Sequence, residues 1–284
     1  MYVRRSVRDL LPGDHAWLPF CCPDEQGHVI GSWIAQGLRI RDKVVYVTDA
    51  EHWELPGLYG HDLSPAVRAG LLTLLPVGEA CLTGGMFDPE KMLQTVADEI
   101  AKAEEQEFRG IRITAETSWA LDQPFGDTRL MVCERELAER VGPSVSVTAI
   151  CQTDVRRCSP AQFDLLAEQH EVRVVPDPDF DDPVLSITRT YRPPGLRLCG
   201  ELDAARHTHF VEALNSLPSQ EEAIHLDLSE LDFLSLSALR TMVEYTRRRG
   251  SRGAVVLHRV PPEVRSTLEV VGMHRLPGIR LDED

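Results

Sequence analysis

The residues best equipped for chemistry lie in two short stretches. In FLSLSAL, residues 233–239, the hydroxyls of Ser235 and Ser237 flank Leu236. A serine where a strand runs into a helix either caps that helix or accepts a phosphoryl group worth about −1.5 to −2 charges. Towards the other end, His15, Cys21, Cys22 and His28 offer imidazole and thiol ligands. Their HxxxxxCC spacing is no known ligand pattern, and adjacent cysteines chelate one tetrahedral ion awkwardly, so no metal is expected. GxSxG, HExxH and GxGxxG do not occur, and CLTGGMF at 81–87 is a turn with two glycines, so no enzyme is expected and no cofactor is implied.

Composition narrows the classes. The chain has 284 residues, 43% hydrophobic and 26% charged, which suits two globular domains with real cores and excludes a disordered scaffold. A formal net charge of −15 argues against nucleic acid as a partner, since phosphate neutralisation by Lys and Arg supplies most of that affinity. The cluster Arg247, Arg248, Arg249 and Arg252 is too short to change this. No run approaches the roughly 20 apolar residues of a membrane span, and MYVRRSVRDLLPGDHAW lacks the apolar stretch of a signal peptide, so a cytoplasmic protein without membrane contact is expected. Seven cysteines, with no CxxC pair, read as small buried apolar groups.

The elements that must position these residues follow from periodicity. VVYVT at 44–48, LLTLLP at 71–76, IRITAE at 111–116, VSVTAIC at 145–151 and VRVVP at 172–176 are short, β-branched and almost wholly apolar, as strands buried on both faces are. Between them Ile30, Trp33, Ile34, Gly37 and Leu38 fall at helical spacing. Met92, Leu93, Val96 and Ile100 do the same, as do Leu130, Cys133, Leu137 and Val141. Alternation of this kind predicts parallel βαβ units. VVPDPDFDDP at 174–183 breaks every period and reads as a linker, taken as 176–184. Beyond it a smaller α/β pattern runs through LRLCG, a helix bearing His207, Phe210, Val211 and Leu214, AIHLDL, a helix at 239–248, AVVLH and a helix at 262–271 closed by Gly272.

Three blocks in the second half carry a resemblance: Gly200-Glu201-Leu202-Asp203 after a strand, then HLDLSELDFLSLSAL, then RRRGSRGAVVLHRVPPEVRSTLEVVGM. Together they are similar to the STAS domain of bacterial anti-sigma factor antagonists, over about 185–281. The resemblance implies a loop whose typical Asp-Ser-Ser/Thr-Gly carries a phosphorylated serine. Aligned on Phe233 and Leu239, the Asp position is Ser235, the acceptor is Leu236, the next hydroxyl is Ser237 and the glycine is Ala238. The acceptor is thus replaced. Ser235 reads as an N-cap, Ser237 as a first-turn residue, and Leu236 as either partner-facing or packing. Glu201 and Asp203 read as strand-end and capping residues near the partner edge the family implies.

In the first half LPGDHAW, AETSWAL, CERELAERV, ICQTDVRRCSP and LLAEQHEVRV resemble the MEDS sensory domain, over about residues 8–175. That family implies a degenerate RecA/KaiC-like fold with a sensing role. A RecA-like ATPase needs GxxxxGK[ST] to wrap phosphates. PFCCPDEQGHVIGSW stands in that place with no lysine, no following hydroxyl and two acidic residues, so ATP hydrolysis is not expected. His15, Glu116, Trp119, Glu134, Asp154 and His170 match the family blocks and are candidates for a sensory pocket near strand ends. The plainer alternative makes His15 and His170 hydrogen-bonded fold residues, Trp119 core, and Glu134 a cap or a partner of Arg156 or Arg157.

The expectation is therefore an α/β chain with a MEDS-like sensory domain at 1–175, a linker at 176–184 and a STAS domain at 185–284. Its function is binding an anti-sigma factor or GHKL-type kinase protein through Ser235, Leu236, Ser237, Ala238 and Asp203, under input from the first domain. The alternative is a small-molecule receptor or degenerate nucleotide-binding protein that uses STAS for docking or dimerisation. The sequence leaves the oligomeric state open.

Overall fold

The computed structural model describes residues 3–217, 223–249, 254–272, 275–276 and 278–282; Arg252 of the basic cluster lies outside them. Contacts divide the chain into two units, Met1–Pro176 and Asp177–Asp284.

The first unit runs β1 (Val3–Ser6), β2 (His15–Phe20), α1 (Pro23–Gln26), a π-turn (Gly27–Gly31), α2 (Ser32–Ile40), β3 (Lys43–Val47), α3 (Ser64–Arg68), β4 (Leu72–Leu75), α4 (Val77–Cys81) and a small hairpin β5 (Leu82–Thr83) and β6 (Met86–Phe87). It continues with α5 (Pro89–Glu105), β7 (Ile111–Glu116), α6 (Ser118–Leu121), α7 (Gly126–Val141), β8 (Val147–Asp154), α8 (Pro160–Glu168) and β9 (Val172–Val175). Seven strands form one sheet in the order β1-β9-β2-β8-β7-β3-β4, every neighbouring pair parallel. Successive side chains point to opposite faces, and both faces are dry. Trp17, Val45, Val47, Ile113, Ala149 and Cys151 join a core with α5 and α7, while Ala16, Leu18, Val44, Tyr46 and Ile150 join another with Trp33 and Ile34 of α2.

All five strands expected in this half are present, and two more stand beside them. β1, VRRS, is a polar edge strand, and β2, HAWLPF, carries a histidine and a proline that hide its β character. β9 pairs with β2 only at Ala16 and Trp17, so Pro19, with no N–H to offer, lies where β2 has a neighbour on one side alone.

The second unit runs β10 (Phe180–Asp181), β11 (Leu185–Tyr191), β12 (Pro194–Leu202), α9 (His207–Ser216), β13 (Ala223–Leu234), α10 (Leu236–Arg249), β14 (Ala254–His258), α11 (Pro262–Val270) and β15 (Ile279–Leu281). Its mixed sheet has the order β10-β11-β12-β13-β14-β15, antiparallel as far as β12 and parallel beyond. β10 falls within the segment read as linker. Phe180 stacks on His209 with ring centroids 3.9 Å apart, which gives that aperiodic stretch an edge strand. Strict alternation in β13 sends Ile224, Leu226 and Leu228 into one core with Phe210, Leu214, Leu239, Met242 and Leu268. The opposite face is polar. There Asp227 pairs with Arg197 and Arg259, and Asp282 accepts from His258 Nδ1 at 2.7 Å while His258 Nε2 lies 2.6 Å from His225 Nδ1. α11 ends at Val270, and Gly272 follows in the left-handed region at φ 72°.

Three glycines fix the helical segment after β2. A Cβ on Gly27 would lie 2.8 Å from the Gly57 nitrogen, one on Gly31 2.9 Å from the Gly57 Cα, and one on Gly57 1.9 Å from the Gly27 oxygen. Gly57 is also left-handed, at φ 73°. We expect Gly57→Ala to cost more than about 2 kcal/mol, combining left-handed strain with overpacking, and urea unfolding of the full chain measures it.

Candidate functional site

Glu134 is the anomaly from which the site is built. On α7 the stripe Leu130, Cys133, Leu137 and Val141 faces the core, and Glu134, four residues after Leu130 and three before Leu137, falls on the same side. Its side chain is 2% exposed. A carboxylate there must be partnered, and its ion pairs among the described residues are with two histidines. His15 Nε2, from the first residue of β2, lies 3.1 Å from Glu134 Oε2, and His170 Nε2, from the turn between α8 and β9, lies 3.4 Å from it. Arg156 and Arg157, considered as partners for Glu134, bond instead to Asp154 and Asp122. Cys151 on β8 completes the group with its Sγ 3.2 Å from His15 Nε2.

Local structure explains the convergence. β2 and β8 are paired neighbours, with His15 opposite Ala149 and Trp17 opposite Cys151, so His15, Trp17, Ala149 and Cys151 share the face that α7 covers. α8 begins with a capping box in which Ser159 accepts from the Gln162 amide and Gln162 returns the bond, which sets where its C-terminus delivers His170. The Nδ1 of His170 then meets the Leu166 carbonyl at 2.8 Å. Its ring lies 4.4 Å from His15 and 5.9 Å from Trp17 between centroids.

The electrostatics are those of a closed cluster. Burial opposes ionisation of Glu134, but the hydrogen bond with His15 and the nearness of both imidazoles outweigh it and hold the carboxyl below the usual range. Burial lowers His15, against the pull of Glu134. Burial pushes the Cys151 thiol well up, with the Glu134 charge adding to it.

The other three sensory-pocket candidates sit elsewhere, at the carboxyl ends of β7 and β8. Glu116 Oε1 accepts from the Ser118 amide at 2.8 Å and its carbonyl from Trp119 Nε1 at 2.8 Å, while Ser118 Oγ accepts from the Asp154 amide at 2.6 Å. Trp119 is half-buried against the α7-side core and meets Phe87 edge-on. A solvent-open groove of about 510 Å³ beside the β5–β6 hairpin is lined by Phe87, Asp88, Leu93, Arg129 and others, and by none of the four clustered residues.

At the place of a phosphate loop, the Cys21 amide donates to Glu25 Oε2 at 2.7 Å. That backbone donor is taken by a carboxylate of the same turn. Gly27 and Gly31 serve the contact with Gly57. Neither Cys21, Cys22 nor His28 belongs to the His15 cluster.

In the second unit Ser235 precedes α10, and its Oγ accepts from the Ala238 amide at 3.3 Å and lies 2.9 Å from Ser237 Oγ. Ala238 is buried. Leu236 is 68% and Phe233 49% exposed. Asp203 holds Arg206, through its backbone N–H at 3.0 Å and its guanidinium at 2.8 Å.

Seven parallel strands with helices on both faces, joined to a mixed sheet with helices, define a two-domain α/β chain with no helix of the described residues long and apolar enough to cross a membrane. The model of the MEDS family, the MEthanogen/methylotroph, DcmR Sensory domain, matches residues 14–171, and that described as Mlab, STAS domain, matches 185–280. The chain belongs to the MEDS family and carries a STAS domain after it, the pairing that the sequence blocks imply. Domains of these two kinds are typically non-enzymatic signalling modules. No curated protein matches the chain. Similar solved structures include a KaiC-like protein from the hyperthermophilic archaeon Pyrococcus horikoshii, 14% identical over 63% of this chain and 79% of that one with a TM-score of 0.43. The flagellar accessory protein FlaH from Methanocaldococcus jannaschii is 12% identical over 64% of this chain and 80% of that one, with a TM-score of 0.40.

Sequence reasoning found His15, Glu134 and His170 but missed Cys151, which its alternation with Val147 and Ala149 presents as one more apolar residue. We expect Glu134→Ala to cost about 3 kcal/mol, the usual result of breaking a buried pair. Because the folded Glu134 carboxyl titrates below its unfolded value, its contribution is complete above about pH 4.3 and is lost as pH falls further. Urea unfolding at pH 7.5 and pH 3 should show a larger acid loss for the parent than for the variant.

Proposed function

We propose that the chain is an anti-sigma factor antagonist-like signalling protein. Its STAS domain binds an anti-sigma factor, of the GHKL kinase type or related to it, through the turn at 233–239 and the start of α10. The MEDS domain supplies the input. The observation that carries this reading is Leu236. It stands at the first helical position, more than two-thirds exposed, beside a half-exposed Phe233. An apolar side chain packed inward would favour a structural role; one held out at a helix start favours contact with a partner. Ser235 and Ser237 are hydrogen-bonded to each other, and Ser235 caps the helix, so both hydroxyls already have structural employment.

In this reading the partner surface comprises Ser235, Leu236 and Ser237, with Asp203 at the neighbouring strand end, and switching runs without phosphoserine; Ala238, expected there from the sequence, packs into the core instead and offers a partner nothing. It acts in the cytoplasm as a regulator of transcription by mutually exclusive binding. The MEDS domain turns over no ATP, because Glu25 holds the backbone donor and no lysine stands behind it.

Leu236→Asp adds a charge to this surface without touching the buried face of α10. Affinity purification of the parent from its own cells should recover an anti-sigma factor, and the Leu236→Asp bait should not. Recovery by both baits, or by neither, would overturn the assignment.

A further inference from the structure

The cluster under α7 has the makings of a metal centre that the sequence spacing does not announce. Four potential ligand atoms, one each from His15, Glu134, Cys151 and His170, lie within 4.8 Å of one another, and all four residues are buried. A tetrahedral ion bound at about 2.0–2.3 Å keeps its ligand atoms about 3.3–3.7 Å apart. The separations of 3.1 Å between His15 and Glu134, 3.2 Å between His15 and Cys151, and 3.4 Å between His170 and Glu134 are close to those edges.

His170 supplies an independent observation. Its Nδ1 stands 2.8 Å from the Leu166 carbonyl, and a carbonyl oxygen only accepts, so Nδ1 carries the proton. Nε2 is then the coordinating nitrogen, oriented by a backbone bond behind it, as metal-binding histidines commonly are. That Nε2 is buried, has no hydrogen-bond partner and faces the Glu134 carboxylate. In a neutral imidazole this sets a lone pair against a carboxylate, a repulsion that a cation between them turns into attraction.

Charge and mechanics agree. A divalent ion with one carboxylate, one thiolate and two neutral imidazoles sums to zero, which removes the cost of an isolated charge in the interior. Two ligands come from adjacent strands of the sheet, one from a long helix and one from a turn fixed by a capped helix, so the geometry is held by packed elements.

We propose that His15 Nε2, Glu134 Oε2, Cys151 Sγ and His170 Nε2 together bind one divalent transition-metal ion, with zinc the best match to this N₂OS set. Binding forms the metal–sulfur bond and releases the thiol proton to solvent. The site is independent of the partner surface on the second domain, so either assignment stands if the other fails.

The test uses the untagged full-length chain, stripped with chelator and titrated with cobalt(II), then with zinc. The expected result is one cobalt per chain, with the intense visible bands of a tetrahedral ion and a near-ultraviolet thiolate-to-cobalt band, displaced by one equivalent of zinc. Cys151→Ser should abolish the thiolate band, and His170→Gln should weaken binding by at least tenfold. Cys21→Ala and Cys22→Ala should alter neither. If the Cys151 and His170 variants fail to fold, the parent's own cobalt spectrum decides. Absence of stoichiometric cobalt or zinc, cobalt bound without a thiolate band, or a band lost in the Cys21 or Cys22 variant would overturn the proposal. In the first of these cases the four residues form a proton-sharing cluster only.

Discussion

A carboxylate that water cannot reach constrains one whole side of the first domain. The parallel sheet is covered by helices on both faces, so no wet surface is available to a polar group displaced from its partners. An ionised side chain in such a place costs more than a domain of this size has to spare unless it is neutralised locally. Glu134 therefore ties together elements distant in sequence: β2 through His15, β8 through Cys151 beside it, and the α8–β9 turn through His170. The position of α7 over the sheet and the path of the chain into β9 are conditions of that neutralisation. The capping box of α8 and the Leu166 carbonyl behind His170 belong to the same requirement, since each limits where the imidazole can stand.

The second domain solves its packing differently. Its sheet sends leucines and isoleucines to one face and leaves the other polar, where Asp227 takes two arginines and Asp282 begins a chain through His258 to His225. At the end of β13 the same alternation runs out into Phe233, Leu234 and Ser235. Leu234 goes inward, Ser235 closes the helix start, and Leu236 is left outside. An apolar residue at position 236 is thus compatible with a capped helix start. The hydroxyl that the helix needs for its cap is one residue earlier.

How much of this was legible in the sequence depended on how local the determining physics is. Strands such as IRITAE and helices such as that through Met92, Leu93 and Val96 declare themselves because burial on a fixed face repeats along the chain. β2 does not, because His15 and Pro19 interrupt its pattern, although it pairs on both sides near the middle of the sheet. Glu134 was marked by its likeness to a family block, and its place on the buried stripe of α7 came from the structure. Its partners were not visible. The sequence separations of 119 from His15 to Glu134 and 136 from His15 to Cys151 are spanned by sheet order, which no local period encodes. The same block likeness raised Glu116, Trp119 and Asp154 on equal terms, and nothing in the spacing separated those at strand ends from those beneath the helix.

The contact of Gly27 and Gly31 with Gly57 also bears on how the sequence can drift. In most packed interfaces an enlarged side chain is accommodated by trimming a neighbouring one, so pairs of positions explore size together. Here the atoms that an added methyl meets are backbone atoms at every one of the three positions. No reduction of a neighbouring side chain makes room, and relief demands that the helix or the loop move as a body. The three glycines therefore form a set closed to compensation, where a suppressor of one substitution has to be sought in the elements that carry the loop and not among the residues that touch it.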